Sequence, residues 1–254
     1  MRMSEAVTGV LAGGMTPFAG HSGAGIRIAI VDSGVHPDHP HIRADRLEAG
    51  ISIAADGTIE HGDEAALDRL GHGTAVTAAI QEKACEAICL PIRVFRERLA
   101  TSAMALVTAI QWAIAQQADI INLSLGTVNA AHRGIFAQAA ASAAEAGVLI
   151  IAAREANGQP CYPGALPQVL GVGLDWECPR TGYRLEQGIF MASGYPRPIP
   201  GYQQQRNLHG ISFAVAQMSA FAALAAEQAR GDRVPQRLSA IRHALLAEGV
   251  PKQS

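Results

Sequence analysis

The sequence predicts a single α/β domain with a mostly parallel central sheet between helices on both faces. Short apolar segments alternate along the chain with Ala-rich segments of helical length, an order typical of parallel β-α-β units. Most of these short segments are continuously apolar, as expected for strands buried on both faces of a sheet. The 254 residues suit one domain, and at 49% hydrophobic but only 5% aromatic they predict a core of Ala, Ile, Leu and Val.

The elements follow from these patterns in chain order. Residues 1–25 are Gly-rich and predict a surface arm, and the Pro- and Gly-rich stretch 195–205 predicts a loop. Gly147 is a suitable residue to end the third helix. We expect strands over residues 26–31, 50–54, 88–94, 119–124, 148–153, 169–174 and 188–192. We expect helices over residues 72–83, 101–117, 131–146, 212–226 and 234–246, and a tail over residues 251–254.

Charge and composition argue against several classes of partner. The net charge is −2 with no basic block, so no nucleic acid is expected. No run is long and apolar enough to span a membrane, and residues 1–24 lack the basic and apolar regions of a secretion signal. The four cysteines lack the Cys-x-x-Cys spacing of a metal site. These features predict reduced thiols and a cytoplasmic protein.

Three short segments place an acid, a histidine and a serine beside glycines at element ends. Asp32 ends the first predicted strand, His72 begins a helix between two glycines, and Ser212 begins a helix two residues after Gly210. All three fall on the edge of the sheet where strands end, which is where such sheets bind ligands. A helix start also favours a developing negative charge, although Ser212 alone would be interpreted as a helix cap. Together, the three residue types are the parts of a nucleophilic triad.

These segments resemble the catalytic blocks of the subtilisin-like serine proteases, and the likeness runs from about Gly23 to about Glu227. The segments that carry the resemblance are Asp32-Ser33-Gly34, Gly71-His72-Gly73-Thr74 and Gly210-Ile211-Ser212-Phe213-Ala214, supported by His39-Pro40-His41-Ile42, Ile120-Ile121-Asn122-Leu123-Ser124-Leu125-Gly126 and Tyr162-Pro163-Gly164. The resemblance implies a subtilisin-like three-layer fold and a serine endopeptidase. In it, His72 would take the proton of Ser212 while Asp32 orients the imidazole.

The resemblance also implies how a peptide substrate is bound. Ser124, Leu125 and Gly126 would form an edge that pairs with an extended peptide backbone, with Ala153 and Cys161 contributing to the site. Without the resemblance, residues 124–126 would be an ordinary exit from a strand. The best-known members have glycine at the floor of the main specificity pocket, where Cys161 stands here. We therefore expect a shallow or irregular pocket and no broad digestive specificity.

The oxyanion hole is the least regular part of the predicted site. Members of the family supply its second donor from an asparagine in an Ala-Ala-Gly-Asn-type segment, and the position nearest to that asparagine is Glu155 here. An ionised Glu155 would repel the oxyanion, and losing one such donor costs roughly 3–4 kcal/mol. Asn157 is the expected donor if the loop is reshaped, with a protonated Glu155 as the alternative. As an ordinary Asn before Gly158, Asn157 would be a turn residue.

The sequence predicts no metal site and no cofactor. His36, Asp38, His39 and His41 lie close together, but prolines hold this stretch extended and no further ligand of clear spacing follows. A solvated loop is therefore the favoured interpretation. Many members of the family bind calcium, but no acidic cage can be placed in this sequence.

The departures from the family pattern point to a specialised protein. The residues before the first strand are too few for the inhibitory prodomain of secreted members, so residues 1–254 are expected to form one peptidase domain. By analogy, we expect a cytoplasmic processing protease that cleaves a leader from a precursor peptide. The alternative is a pseudoprotease that binds peptides but has an impaired oxyanion hole, which Glu155 and Ile211 favour. The sequence predicts no oligomeric state.

Overall fold

Strands and helices alternate along the chain as the apolar pattern predicts. The computed structural model describes residues 16–231 and 236–251. Its strands are β1 Arg27–Asp32, β2 Ile51–Ile53, β3 Ile59–Glu60, β4 Ile88–Arg93, β5 Ile120–Leu123, β6 Leu149–Ala153, β7 Glu155–Ala156, β8 Gln159–Pro160, β9 Leu170–Leu174, β10 Tyr183–Glu186, β11 Ile189–Ala192 and β12 Val250–Pro251. Its α-helices are α1 His72–Gln81, α2 Ala103–Ala115, α3 Arg133–Glu145, α4 Ile211–Gln228 and α5 Gln236–Glu248.

Ten strands form one sheet in the order β12-β10-β11-β9-β6-β5-β1-β4-β2-β3. The pairs from β2 through β4, β1, β5, β6 and β9 to β11 are parallel, and β10 is antiparallel to β11. The carboxyl ends of β1, β5 and β6 therefore meet at one edge of the sheet. The mostly parallel sheet predicted from the sequence is confirmed.

Side chains of the central strand β1 enter two separate cores. Ile28 and Ile30 pack into a cluster with residues of α1, α4 and α5, whereas Ala29 and Val31 pack into a cluster with residues of α2 and α3. Successive side chains of a strand point to opposite faces, so helices cover both faces of the sheet. This three-layer arrangement confirms the predicted fold class. It also explains why β1 is apolar throughout, apart from the half-buried Arg27 and the terminal Asp32.

Helix α4 is buried at every residue from Phe213 to Ala226. A helix that is apolar around its whole circumference lies inside a protein rather than on its surface. Small alanine side chains let neighbouring elements approach it closely. The central position of α4 holds its first turn, with Ser212, at the edge of the sheet where β5 ends.

The structure departs from the sequence prediction in its shortest elements. Strands β3, β7, β8 and β12 have only two residues each, which is too short to produce a periodic pattern. Strand β10 was also missed, and Pro251, predicted as part of a tail, pairs with β10 instead. The predictions for residues 1–15, 232–235 and 252–254 lie outside the described residues.

The sequence also led to expectations about disulfides, metal sites and membrane-spanning segments. All four cysteines are unpaired. The described residues contain no group of three or more His, Cys, Asp or Glu side chains arranged to hold a metal ion, so the histidine-rich loop after β1 is not such a group. None of the described helices combines the length and the apolarity needed to cross a membrane.

Candidate active site

Asp32 and His72 form a buried hydrogen-bonded pair at the end of β1. Oδ1 of Asp32 lies 2.7 Å from Nδ1 of His72 and accepts the backbone N–H of Ser33 at 2.8 Å. Asp32 is fully buried, and the His72 side chain is 11% exposed. A carboxylate accepts a proton donor, so the Nδ1 atom carries the hydrogen and Nε2 is left as the basic nitrogen.

Opposing effects act on the pKa of His72. Burial disfavours the imidazolium and lowers the pKa, whereas the hydrogen bond to Asp32, its negative charge and the charge of Asp68 raise it. The two carboxylates prevail, so the pKa lies above its ordinary value. His72 is therefore a stronger base than a free histidine.

Two glycines let α1 begin beside Asp32. Gly71 precedes the helix with a φ of 80°, in the left-handed region that favours glycine. At Gly73, a Cβ atom would lie 2.2 Å from the carbonyl oxygen of Gly34, so only glycine allows this close approach. The Gly73 N–H also donates to Oγ of Ser33 at 2.8 Å. The Gly-His-Gly pattern is thus explained by the contact between α1 and the loop after β1.

Asp68 holds the same helix start and was not among the residues predicted from the sequence. Its Oδ1 accepts the N–H groups of Leu70 and Gly71 at 2.9 Å each. Its Oδ2 accepts the Thr74 N–H at 2.9 Å and the Thr74 hydroxyl at 2.6 Å. Asp68 therefore satisfies N–H groups that a helix start leaves unpaired. The available signal was an acidic residue close before a helix, where negative charge is stabilising.

Ser212 lies in the first turn of α4, next to Phe213. The preceding Gly210 has a φ of 145°, and the ring of Phe213 contacts the imidazole of His72 with 5.7 Å between centroids. The Ser212 hydroxyl donates to the carbonyl of Ser124 at 3.2 Å. Within the described part of the chain, it makes no hydrogen bond to His72. The structure thus pairs Asp32 with His72 and Ser212 with Ser124, and Phe213 packs the first turn of α4 against His72.

A buried polar chain joins the end of β5 to α4. The Ser219 hydroxyl donates to Oδ1 of Asn122 at 2.9 Å, and Nδ2 of Asn122 donates to Oγ of Ser124 at 2.9 Å. Asn122 and Ser219 are fully buried, and Ser124 is 6% exposed. A satisfied buried network fixes the groups that form it. It therefore sets the position of Ser124 relative to the helix that carries Ser212.

The segment after β5 is closed on one side by residues 161–162. Thr127 and Tyr162 exchange backbone hydrogen bonds of 2.9 and 2.8 Å. A Cβ atom on Gly126 would lie 2.6 Å from Sγ of Cys161, so this buried sulfur already fills the space beside Gly126. Burial raises the pKa of the Cys161 thiol, which keeps it protonated.

Ala153 marks the opposite side of the same region. It is 4% exposed at the end of β6, and its carbonyl oxygen would be 1.9 Å from a Cβ atom on Gly164. The segments after β5 and β6 are therefore packed at close quarters, with glycine where they touch. The predicted substrate-binding residues 124–126, Ala153 and Cys161 all belong to this region.

Glu155 and Asn157 lie on a hairpin that follows β6. Asn157 and Gly158 have φ values of 52° and 72°, and they form the turn between β7 and β8, as expected for Asn-Gly in a two-residue hairpin. Glu155 and Asn157 are exposed, and both line a cavity of about 490 Å³ together with Ile211. Asn157 is thus a turn residue, and it also faces the space next to the residue before Ser212.

Comparisons with known sequences identify relatives of this chain. The profile of the Subtilase family matches residues 23–175. The minor extracellular protease Epr of Bacillus subtilis (strain 168) is 33% identical over 166 residues, which are 61% of this chain and 24% of that protein. An intracellular serine protease of Paenibacillus polymyxa is 31% identical over 166 residues, which are 59% of this chain and 50% of that protein. The chain therefore matches half or less of these relatives' length.

Solved structures share the fold over most of the chain. A lanthipeptide protease aligns with a TM-score of 0.63 and 20% identity, covering 86% of this chain and 78% of that one. The prenylagaramide maturation protease PagA aligns with a TM-score of 0.63 and 26% identity, covering 87% of this chain and 82% of that one. The first of these likenesses is evidence of the fold alone.

Proposed function

This chain belongs to the subtilase family, and on that premise we propose that it is a serine endopeptidase that uses Asp32, His72 and Ser212. The observation that carries the proposal is the 2.7 Å contact between Asp32 and Nδ1 of His72, beside a serine in the first turn of α4. This contact leaves Nε2 of His72 free to act as the base, and we assign it the proton of Ser212. A raised pKa keeps that base strong enough to accept a hydroxyl proton.

Substrate binding prepares the nucleophile. The Ser124 carbonyl holds the Ser212 hydroxyl at 3.2 Å, and an extended peptide paired with residues 124–126 would donate a backbone N–H to the same region. Competition for this carbonyl releases the hydroxyl, which rotates about χ1 toward Nε2 of His72. Hydrogen bonds at catalytic sites commonly tighten only when substrate is bound.

The chemical step then follows the usual course of acyl transfer. Oγ of Ser212 bonds to the peptide carbonyl carbon, and its proton moves to Nε2 of His72. The imidazolium, stabilised by Asp32, gives that proton to the leaving amine as the C–N bond breaks. Water repeats the sequence with the acyl group, restoring Ser212 and releasing the acid. Each step uses side chains, backbone and water, so we expect activity to persist in EDTA.

The oxyanion needs two donors in this proposal. The N–H of Ser212 is one, since the first turn of α4 has unpaired N–H groups and a favourable dipole. We assign the second to the amide of Asn157, which lines the same cavity as Ile211. Glu155 lines this cavity too and is the alternative only in its protonated form. The Asn-Gly turn supports this assignment because it places Asn157 at the tip of the hairpin, two residues after Glu155.

The substrate is proposed to be a precursor peptide cleaved at a defined site. Cys161 fills the space beside Gly126, and a restricted pocket favours selective rather than digestive cleavage. PagA, which is similar to this chain over most of its length, is a maturation protease. Similarity to an intracellular serine protease supports our proposal that the protein acts in the cytoplasm.

A fluorophosphonate probe tests the proposal directly. The wild-type protein should be labelled at Ser212, and Ser212→Ala or His72→Ala should abolish labelling while circular dichroism stays unchanged. Ser142→Ala, at an exposed serine of α3, is the matched control and should retain the label. A folded wild-type protein that takes no label and cuts no peptide in a library would instead be a peptide-binding pseudoprotease.

A further inference from the structure

A second groove opens beside the site, on the α1 face of the sheet. Its volume is about 320 Å³, and it lies between the loop after β1, the start of α1 and the loop before α4. The residues that line it include His36, His39 and His41, Arg69 and Arg197, and the exposed Leu208. We call it the arginine groove.

The arginine groove presents positive charge without accessible negative charge on its walls. Its one carboxylate belongs to Asp68, which is 6% exposed and has both oxygens engaged by the start of α1. Glu64 lies 3.8 Å from Arg69, but both side chains are largely exposed, so this pair is weak. Asp38 is exposed on the loop between the histidines and does not line the groove.

Arg197 is the better placed of the two arginines. Its Nη1 donates to the carbonyl of His41 at 3.2 Å, and no carboxylate pairs with it among the described residues. One backbone contact therefore holds the guanidinium and leaves its other N–H groups available. A guanidinium with free parallel donors is suited to a carboxylate.

The groove's charge does not depend on His41 becoming protonated. Burial lowers the pKa of His41, the nearby charges of Arg197 and His39 lower it further, and Glu82 raises it less. His41 is therefore less readily protonated than a free histidine, and the lasting charges of the groove are those of Arg69 and Arg197.

The arginine groove lies next to the proposed catalytic residues. It is lined by Gly71, next to His72, by His36, four residues after Asp32, and by Leu208, four residues before Ser212. A different groove, on the α2 and α3 face, includes Leu125 and Gly126 and shares no lining residue with it. Ser212 is linked to both sides, since its hydroxyl donates to Ser124 and Leu208 of the arginine groove lies four residues before it. A peptide that pairs with residues 124–126 and crosses Ser212 would therefore continue toward the arginine groove.

We propose that the arginine groove binds an acidic residue of the substrate, located C-terminal to the cleaved bond. This inference rests on the proposed function, and it defines the substrate as a peptide whose downstream segment carries Asp or Glu. Leu208 and Ile199 line the walls and contact the apolar part of that segment, while Arg197, assisted by Arg69, binds the carboxylate.

Cleavage of a peptide library, read by mass spectrometry, gives the first test. Asp and Glu should be enriched within about four residues after the cut. A matched pair of quenched peptides then replaces the preferred Glu by Gln, and we expect kcat/KM to fall about tenfold, the size expected for losing a charge-assisted hydrogen bond. Arg197→Gln should remove this difference between the peptides, and Arg197→Lys should retain part of it.

Arg230→Gln is the control variant. Arg230 also donates to a single backbone carbonyl, that of Gly25 at 3.3 Å, but it follows the far end of α4. Equal rates for both peptides, a preference for Gln, or the same loss in Arg230→Gln as in Arg197→Gln would each overturn the inference.

A failure of the proposed function is recognisable separately. In that case the wild type takes no fluorophosphonate and cuts neither peptide. Fluorescence anisotropy with the same two peptides on the wild-type protein then decides the groove alone. Tighter binding of the Glu peptide, lost in Arg197→Gln, supports the groove, and equal binding overturns it.

Discussion

The two halves of the candidate site are built in different ways. The half with Asp32 and His72 is buried, and it is fixed by hydrogen bonds that Ser33 and Gly73 donate and Asp68 accepts. The half with Glu155 and Asn157 is an exposed two-stranded hairpin whose tip has left-handed backbone angles. The first half keeps the family's motifs residue by residue, whereas the second departs from them.

The two halves differ because packing restricts which residues can stand in the first half but not in the second. At Gly73, an added Cβ atom would meet a backbone carbonyl, which cannot move without moving β1. At Asn157, the hairpin projects from the sheet, so its length and residues can change without disturbing a core. The rigid half thus holds the residues that match the family's motifs, whereas the sequence and length of the hairpin are free to vary.

The largest expected effect is in the rigid half. Asp32→Asn should lower kcat by about ten thousandfold, because the amide favours the wrong tautomer of His72 while keeping its shape. Peptide hydrolysis and circular dichroism measure the two parts of this prediction. Asp45→Asn, at an exposed side chain, should be silent. A loss of less than tenfold in Asp32→Asn would mean that the buried pair does not orient the base.

The hairpin half is tested by removing the proposed donor. Asn157→Ala should lower kcat by about a hundredfold or more and leave KM nearly unchanged, because the contact forms only in the transition state. Gln187→Ala is a close control, since Gln187 has a φ of 51°, precedes a glycine and lines the same cavity. The opposite outcome, a silent Asn157→Ala with a large loss in Glu155→Ala, assigns the donor to Glu155.

Two glycines test the close packing of the rigid half. Gly73 and Gly134 are each the second residue of a helix, but a Cβ atom would meet backbone at Gly73 and nothing within 4 Å at Gly134. Gly73→Ala should destabilise the protein by about 1–3 kcal/mol through overpacking. Gly134→Ala should stabilise it by about 0.5–1 kcal/mol. Urea denaturation compares them, and similar values for both variants would contradict the role given to Gly73.

The smallest effect is expected in the pH profile. Loss of activity at acidic pH reports protonation of His72, whose pKa the charge of Asp68 helps to raise. Asp68→Asn removes that charge, so the pKa of His72 falls and the acidic limb of kcat/KM moves to lower pH. Glu48→Gln serves as the control, at a half-exposed acid paired with Arg27. If the acidic limb is unchanged in Asp68→Asn, Asp32 is the only carboxylate that raises the pKa of His72.

The fold was predictable because its strongest signals are local. A helix predicted over 72–83 spans His72–Gln81, and a strand predicted over 88–94 spans Ile88–Arg93. The hairpin β7–β8 was not predictable in this way, since two-residue strands show no periodicity and the turn chemistry of Asn157-Gly158 was its only signal.

The sequence indicates candidate site residues only where they stand beside glycines at the ends of predicted elements. Asp32, His72 and Ser212 were predicted from this pattern. The bond between Asn122 and Ser219 joins residues 97 positions apart, and nothing near either residue indicates the other. The arginine groove combines three separate segments for the same reason, and its composition emerges only after folding.

The two edges of the sheet have a consequence for how the protein meets extended chains. Strand β3, at one edge, has two exposed residues, and β12, at the other, has two residues of which Pro251 has no N–H. An unpaired sheet edge is a template on which a foreign strand can grow. Edges this short offer such a strand too few hydrogen bonds to hold it. We propose that the protein binds extended peptides at residues 124–126, and the short edge strands make binding of such peptides at the sheet edges unfavourable. For the same reason, two copies of the protein form few hydrogen bonds by pairing edge to edge.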